Sequence, residues 1–427
     1  MSNNVDATNM KQATKRELMP KLRFPEFGDA WAVKKLGDLG KLIGGGTPDK
    51  SVVEYWQGDI PWVSSSDIFE DDIYTMSVTR FINEKSISES ATKIVPKGSV
   101  LFVSRVGTGK LAVNNNDVCT SQDFTNFLPK KIYNYFLGYF FIANKSALIS
   151  LGQGTSIKGF SKGDLEKFEV IFPSPLEQQK IADCLSSIDE LITAQTQKLV
   201  TLKTHKKGLM QQLFPAEGET LPKLRFPEFQ DAGEWKGTRL GDLSDVRDGT
   251  HDSPQYYISG MPLLTSKNLL SSGSLDLKNV SYISKGDYEK INKRSKVDIG
   301  DILFGMIGTI GNPVMIQSEG FAIKNVALIK QKSDLLNRYL LHFLNSQYIA
   351  TKFSVLNTGN SQKFIALGQI RSLIVLVPSI LEQQKIANYL SSIDDLITVQ
   401  TQKLNTLKTH KKALMQQLFP SLDEVYQ

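Results

Sequence analysis

Two long stretches of the chain carry a repeating register with steps of four and three. The first runs through Ile181, Leu185, Ile188, Ile192, Gln195, Leu199, Leu202, Lys206, Leu209 and Leu213. The second runs through Ile386, Leu390, Ile393, Ile397, Gln400, Leu404, Leu407, Lys411, Leu414 and Leu418. A mainly apolar seam with a period of 3.5 predicts a long helix in each stretch, buried by left-handed coiling against a partner helix. Pro173, Pro175 and Pro378 precede the two stretches and Pro215 and Pro420 follow them, as helix boundaries do. At 1.5 Å per residue each helix is about 55–60 Å long. The rest of the chain mixes periods. Short β-like runs occur at 60–63, 99–103 and 168–172 and again at 301–304, 321–329 and 373–377, with helical patterns at 133–150 and 335–353.

The long stretches are copies of each other. Residues 176–215 return as 381–420 with only six of forty positions changed, both beginning Leu-Glu-Gln-Gln-Lys-Ile-Ala. A second word, Lys-Leu-Arg-Phe-Pro-Glu-Phe, stands at 21–27 and at 223–229, followed each time by a Trp (Trp31, Trp235) and by Leu-Gly-Asp-Leu. The chain is thus two halves with a common frame. Between the words lie regions that match only in scattered places, such as Ile60-Pro61-Trp62-Val63-Ser64 with Met261-Pro262-Leu263-Leu264-Thr265. The expected fold class is α+β: two domains of similar fold joined by two long antiparallel coiled-coil helices in a pseudo-twofold, circular arrangement. Antiparallel pairing follows from connectivity, since the first helix leaves the first variable region and the second begins where the second region ends. Full overlap puts Gln195 and Gln400 near the dyad, where they either set register by hydrogen bonding or are solvated misfits.

The expected divisions are 1–20, a flexible tail; 21–174, the first domain; 175–215, a central helix; 216–234, a linker with the repeated word; 235–379, the second domain; 380–420, a distal helix; and 421–427, a C-terminal tail. A length of 427 residues is consistent with several domains. The formal charge of +6, from 50 basic and 44 acidic residues, permits a nucleic-acid partner without demanding one. Cys119 and Cys184 alone cannot form a disulfide framework or a CxxC zinc site, and point to a reducing cytoplasm. No stretch of about 18 apolar residues predicts a membrane span.

Chemistry is sparse. Gly107-Thr108-Gly109-Lys110 resembles the tail of a phosphate loop, but Ser104 stands where the first Gly belongs and Leu111 where Ser or Thr belongs. No glycine-rich cofactor loop or Asn/Asp-Pro-Pro-aromatic motif occurs, and no catalytic residue or metal site is expected. Polar loops offer phosphate and base donors instead. In the first domain the candidates are Thr47, Ser64, Ser66, Arg105, Lys110, Gln122 and Lys158; in the second, Thr250, His251, Ser266, Lys267, Asn268, Lys324 and Lys363. By charge the first variable region is balanced, with 16 basic and 15 acidic residues, and the second has 17 and 11, so local patches or a partner protein must contribute to tight binding.

The paired helical words, with Gly46-Thr47-Pro48 through Asp59-Ile60-Pro61-Trp62 and with Asp248-Gly249-Thr250-His251-Asp252-Ser253-Pro254, make the chain resemble the specificity subunits of type I restriction–modification systems over nearly its whole length. The resemblance implies two target-recognition domains reading a bipartite, asymmetric double-stranded DNA target. It also implies a non-catalytic subunit, partnered by two modification subunits carrying S-adenosylmethionine and two restriction subunits using ATP and Mg. The exposed helix faces, including Gln178, Gln179 and Lys180 with Gln383, Gln384 and Lys385, are candidates for subunit docking. The alternatives are a stand-alone bivalent DNA-binding protein such as a repressor, or a scaffold without a DNA role.

Overall fold

A computed structural model describes residues 19–152, 159–356 and 364–422. Most of the expected N-terminal tail, residues 1–18, and residues 423–427 lie outside them. The described chain forms two compact units, one drawing on residues up to Gln195 and from Lys403 onward, the other on Thr196–Gln402.

In the first unit the strands are β1 (Ala32–Lys35), β2 (Gly40–Gly44), β3 (Ile60–Val63), β4 (Arg80–Ile82), β5 (Ile94–Val95), β6 (Val100–Val103), β7 (Leu111–Val113), β8 (Val118–Thr120), β9 (Phe124–Pro129) and β10 (Glu169–Phe172). They form sheets ordered β2-β9-β6-β7 and β4-β3-β8-β5, and an antiparallel β1-β10 pair. Within the second sheet β3 and β8 run parallel, with Val63 opposite Thr120, so both strands end at one edge. The second unit repeats the plan with β11 (Lys236–Arg239), β12 (Val246–Asp248), β13 (Met261–Leu264), β14 (Ser281–Ile283), β15 (Ile302–Gly305), β16 (Gly311–Met315), β17 (Ala322–Ile323), β18 (Val326–Ile329) and β19 (Ile374–Val377). Its sheets are β12-β18-β15-β16 and β14-β13-β17, with a β11-β19 pair, and β13 is parallel to β17. The run expected as one strand at 321–329 is therefore two strands in different sheets. The chain crosses between them at Asn325, whose φ of 54° is a left-handed conformation that Asn tolerates better than the β-branched residues around it.

Helices α1 (Asn134–Ala143) and α2 (Lys145–Ser150) divide what the pattern predicts as one helix. Asn144 leaves helical geometry between them, its amide donating to the Phe140 carbonyl. The long helix α3 covers Pro175–Leu213; α4 (Asn337–Leu344) and α5 (Gln347–Leu356) are the second unit's counterparts of α1 and α2; α6 covers Ile380–Leu418. Both long helices have 39 residues.

Each unit builds its core partly from one end of each long helix. In the first, Ile181, Ala182 and Leu185 of α3 and Met415 and Leu418 of α6 pack with Phe136, Phe140, Phe141 and Trp31, and the Phe419 ring lies tilted at 5.4 Å from Phe136. In the second, Ile386, Leu390 and Ile393 of α6 and Leu209 and Leu213 of α3 join Tyr339, Phe343 and Trp235, with Phe214 5.6 Å from Tyr339. The helices are antiparallel in both. Of the seam positions, Ile181, Leu185, Leu199, Leu209, Leu213, Ile386, Leu390, Ile393, Gln400, Leu404, Lys411 and Leu418 are buried. Ile188, Ile192, Gln195, Leu202, Lys206, Ile397, Leu407 and Leu414 are half-buried, whereas the off-seam Leu191, Val200, Leu396 and Val399 are exposed. The seam periodicity thus predicts which faces are covered.

The two repeated words are halves of one contact. Arg23 forks onto Glu177 at 2.7 and 2.8 Å, and Arg225 makes the same pair of bonds to Glu382. Lys180 lies over the Phe24 ring and 3.4 Å from Glu26; Lys385 lies over the Phe226 ring and 2.9 Å from Glu228. The word also joins the end of the other long helix, the Leu22 amide donating to the Gln417 carbonyl and Leu224 to Gln212. Gln178 and Gln383 are corrected from docking candidates to structural residues. Both are buried, their amides donating to Pro173 and Pro378 carbonyls and their carbonyls accepting from the amides of Tyr133 and Leu336. Gln179 and Gln384 stay exposed, each bonded to the side chain one turn on, Asp183 and Asn388.

Candidate nucleic-acid interface

The parallel strand pair in each unit brings the polar loops together. In the first unit the Ser121 amide donates to the Val63 carbonyl at 2.8 Å, Gly46 to Thr120 at 2.9 Å, and Gly45 to Phe124 at 3.2 Å. The Ser104 and Arg105 amides both donate to the Asp123 carbonyl. Loops 44–47, 64–67, 104–110 and 120–124 therefore form one cluster. The second unit repeats the first three of these bonds: Lys324 to Leu264, Thr250 to Ile323, Gly249 to Val326. Gly45 and Gly249 occupy the same station. A Cβ at either would collide with a carbonyl oxygen of the facing loop, of Ser121 or of Ile323, so only glycine fits there.

Both clusters share a capped turn. Ser64 precedes a short turn, and the Asp67 carboxylate accepts from its amide at 2.7 Å and its hydroxyl at 3.0 Å. Thr265 and Asn268 do the same in the second unit. This corrects two of the loop candidates. Asn268 is buried and spends its amide on the carbonyls of Asp276 and Asn279. Ser266 is buried too, its hydroxyl donating to the Asn325 carbonyl and accepting from the Met306 amide. Neither offers a polar group to an outside molecule. Ser64 is half-buried with its hydroxyl engaged to Asp67 and Ser66.

The remaining candidates are placed at the cluster surface. Ser66, Arg105 and Gln122 are exposed and Thr47 half-buried. Lys110 is half-buried, its ammonium 3.3 Å from the Ile68 carbonyl. In the second unit Lys267 is exposed, Thr250 half-buried, and Lys324 donates to the Ser253 hydroxyl at 2.8 Å. His251 bridges the Asn325 side-chain oxygen and the Asp248 carboxylate, 2.7 Å from each, and these bonds hold its imidazole above the ordinary histidine range. Lys158 and Lys363 lie outside the described residues.

Charged residues that the loop composition does not pick out also stand here. Arg80 lies 4.7 Å above the Trp62 ring and pairs with Asp67 at 3.0 Å. Arg294 pairs with Asp248, which it shares with His251. The capped turns were readable from the Ser/Thr-x-x-Asp/Asn spacing. Arg80 and Arg294 reach their partners by strand and helix packing, which no local pattern encodes. Among the described residues no group of His, Cys, Asp and Glu is arranged to hold a metal ion, and no helix is long and apolar enough to cross a membrane.

Comparison with known proteins converges on one family. The model of the type I restriction modification DNA specificity domain matches twice, at residues 28–204 and 232–409. The chain is 27% identical over 412 residues to the type I restriction enzyme MjaIX specificity subunit of Methanocaldococcus jannaschii, covering 91% of this chain and 92% of the relative. It is 31% identical over 191 residues to the Escherichia coli EcoR124I/EcoR124II specificity subunit, covering 42% of this chain and 45% of the relative. The crystal structure of the type I system S subunit from M. genitalium shares the fold with a TM-score of 0.61 at 14% identity, over 95% of this chain and 100% of that one. Two matched domains, each built on one repeated frame around its own loop cluster, establish that the chain belongs to the specificity subunits of type I restriction–modification systems.

Proposed function

We propose that the chain reads a bipartite, asymmetric DNA target, each loop cluster taking one half-site, and that it carries no catalytic centre of its own. Methyl transfer to adenine from S-adenosylmethionine belongs to two modification subunits, and ATP-driven translocation and cleavage to two restriction subunits, docked on the exposed faces of the long helices. The observation that carries this reading is the pairing of identical wiring with different side chains. Gly45 and Gly249, Ser64 and Thr265, and Asp67 and Asn268 hold the same stations, while Trp62 and Arg80 are replaced by Leu263 and Ser281. One backbone filled twice with different donors is what reading two unlike half-sites requires. Linking two weak readers in one chain raises their joint affinity through effective concentration.

The test is to map methylated adenines in host cells carrying the cognate modification subunit, with and without this chain. A split motif that appears only with the chain is expected. Methylation that is absent or unchanged rejects the reading. Tight, sequence-specific binding by the purified chain with no modification subunit would favour a stand-alone DNA-binding protein instead.

A further inference from the structure

Among the described residues, Arg80 is the arginine of the first unit's cluster that the fold holds in a fixed direction. It opens β4 directly across from Trp62 on β3, and its guanidinium carbon stands over that ring, 4.7 Å from the centroid. Its Nη2 donates to the Asp67 carboxylate at 3.0 Å and to the Ser64 hydroxyl. Asp67 is buried and tied to the Ser64 amide, so the carboxylate cannot follow the arginine if it swings away. Ring and carboxylate together fix the plane of a side chain that ordinarily loses much rotamer freedom on binding. Nε and Nη1 donate to nothing among the described residues, and the side chain is 38% exposed at the edge where the polar loops meet.

We infer that Arg80 reads a guanine in the major groove of the half-site bound by the first unit, an assignment that rests on the proposed DNA-reading function. The chemistry selects the base. Arginine has only donors, and guanine alone presents two acceptors, N7 and O6, on its major-groove edge; adenine sets an N6 donor beside its N7. The electrostatics argue against a phosphate. Asp67 already balances the charge of Arg80, which weakens a point-charge contact and leaves directional hydrogen bonding as what the group offers. The second unit supports the assignment by contrast. At the same stations it carries Leu263, Asn268 and Ser281, which provide neither the ring, the carboxylate nor the guanidinium. Its own arginine, Arg294, comes from a different element and pairs with Asp248.

The experiment uses the complete methyltransferase complex and reads the methylated motif of the wild type, Arg80→Lys, and the double variant Asp67→Asn with Arg80→Ser. The double variant copies the polar pair that the second unit already accommodates, so it avoids leaving Asp67 buried without its partner. Both are expected to lose discrimination at one G·C position of one half-site, by roughly ten- to hundred-fold, with the other half-site unchanged. A phosphate contact predicts the opposite for Arg80→Lys: a full motif methylated at near wild-type rate. That outcome, or a loss of activity spread evenly over all positions, overturns the inference. A wild type that yields no motif at all would instead remove the proposed function on which it rests.

Discussion

The ammonium of Lys411 lies 2.6 Å from Oδ1 of Asp189, between the two long helices at the base of the first unit. Lys411 is a seam position, 8% exposed, and an unpaired ammonium there would be costly. Asp189 also accepts from the Tyr139 hydroxyl at 2.6 Å, and Lys411 lies over the Tyr139 ring. The repeat supplies the same device to the second unit, where Lys206 stands 2.5 and 2.7 Å from the two oxygens of Asp394. Within each helix copy the carboxylate precedes the lysine by 17 residues, so the two pairs form together only when the helices run antiparallel in this register. A slipped pairing leaves both lysines in the seam without a partner, which makes these ion pairs devices of specificity more than of stability.

Replacing Asp189 by Ala should therefore destabilise the first unit by about 2–4 kcal/mol, mostly through the stranded Lys411. The double replacement Asp189→Leu with Lys411→Met should recover most of that loss, because two apolar groups of similar size remove the need for the pair. Urea unfolding of the three proteins measures it. A double variant as unstable as the single one would show that the ion pair, not the stranded charge, carries the effect.

The latch between the repeated words predicts a second loss. Glu177 is almost wholly buried and satisfied by both branches of the Arg23 fork. Arg23→Lys keeps the charge and loses the paired geometry, and should cost about 1–2 kcal/mol; Glu177→Ala should cost about 3 kcal/mol by leaving the guanidinium without its carboxylate. Limited proteolysis near residues 19–30 should quicken in the same order. Equal protection in all three proteins would mean that Phe24 and its neighbours hold the segment without the latch.

The helical seam, the repeats and the frame of the fold were legible because they are local or duplicated. Ile181, Leu185 and Leu390 declare their burial by spacing alone. The polar loops do converge into one cluster in each unit, but not every polar side chain on them faces outward. Ser266 and Asn268 have the right chemistry for DNA, yet their hydroxyl and amide close the fold's own turns. Arg80 was invisible because its meaning depends on Trp62, 18 positions earlier, lying opposite it across a strand pair. The break at Asn144 was missed for a similar reason. Its side-chain oxygen accepts from the Leu422 amide, and that bond joins residues 278 positions apart.

Glycine at position 45 gives a test of the interface that leaves the long helices alone. Gly45→Ala drives a methyl group into the Ser121 carbonyl, and Gly249→Ala does the same at Ile323. Each should degrade discrimination in one half of the methylated motif and spare the other, the affected half switching with the unit mutated. Two variants that blur the same half would show that the loop clusters do not act on separate half-sites.

The length of the helices makes a further prediction. If they set the gap between half-sites, adding about four residues to α3 and to α6, one turn each, should lengthen the non-specific gap in the methylated motif and leave both half-sites intact. An unchanged gap rejects that role.

The second unit should be the more sensitive of the two to acid, and one residue accounts for it. His342 occupies the station that Tyr139 holds in the first unit: each faces the lysine–aspartate pair of its helices, and His342 bonds to the Ser391 hydroxyl. Burial, with the nearby Lys206 ammonium, pushes its imidazole down to about 3. Neutral in the folded chain, it takes up a proton near pH 6.5 once unfolded. Stability is therefore full above pH 6.5 and falls as the pH drops toward 3, by about 2 kcal/mol at pH 5. His342→Tyr copies the first unit's arrangement and removes the titrating group, so the stability lost between pH 8 and pH 5 should shrink by about that amount. Urea midpoints of the two proteins at those pH values decide it. Identical acid losses in both would assign the sensitivity to the carboxylates of the ion pairs instead.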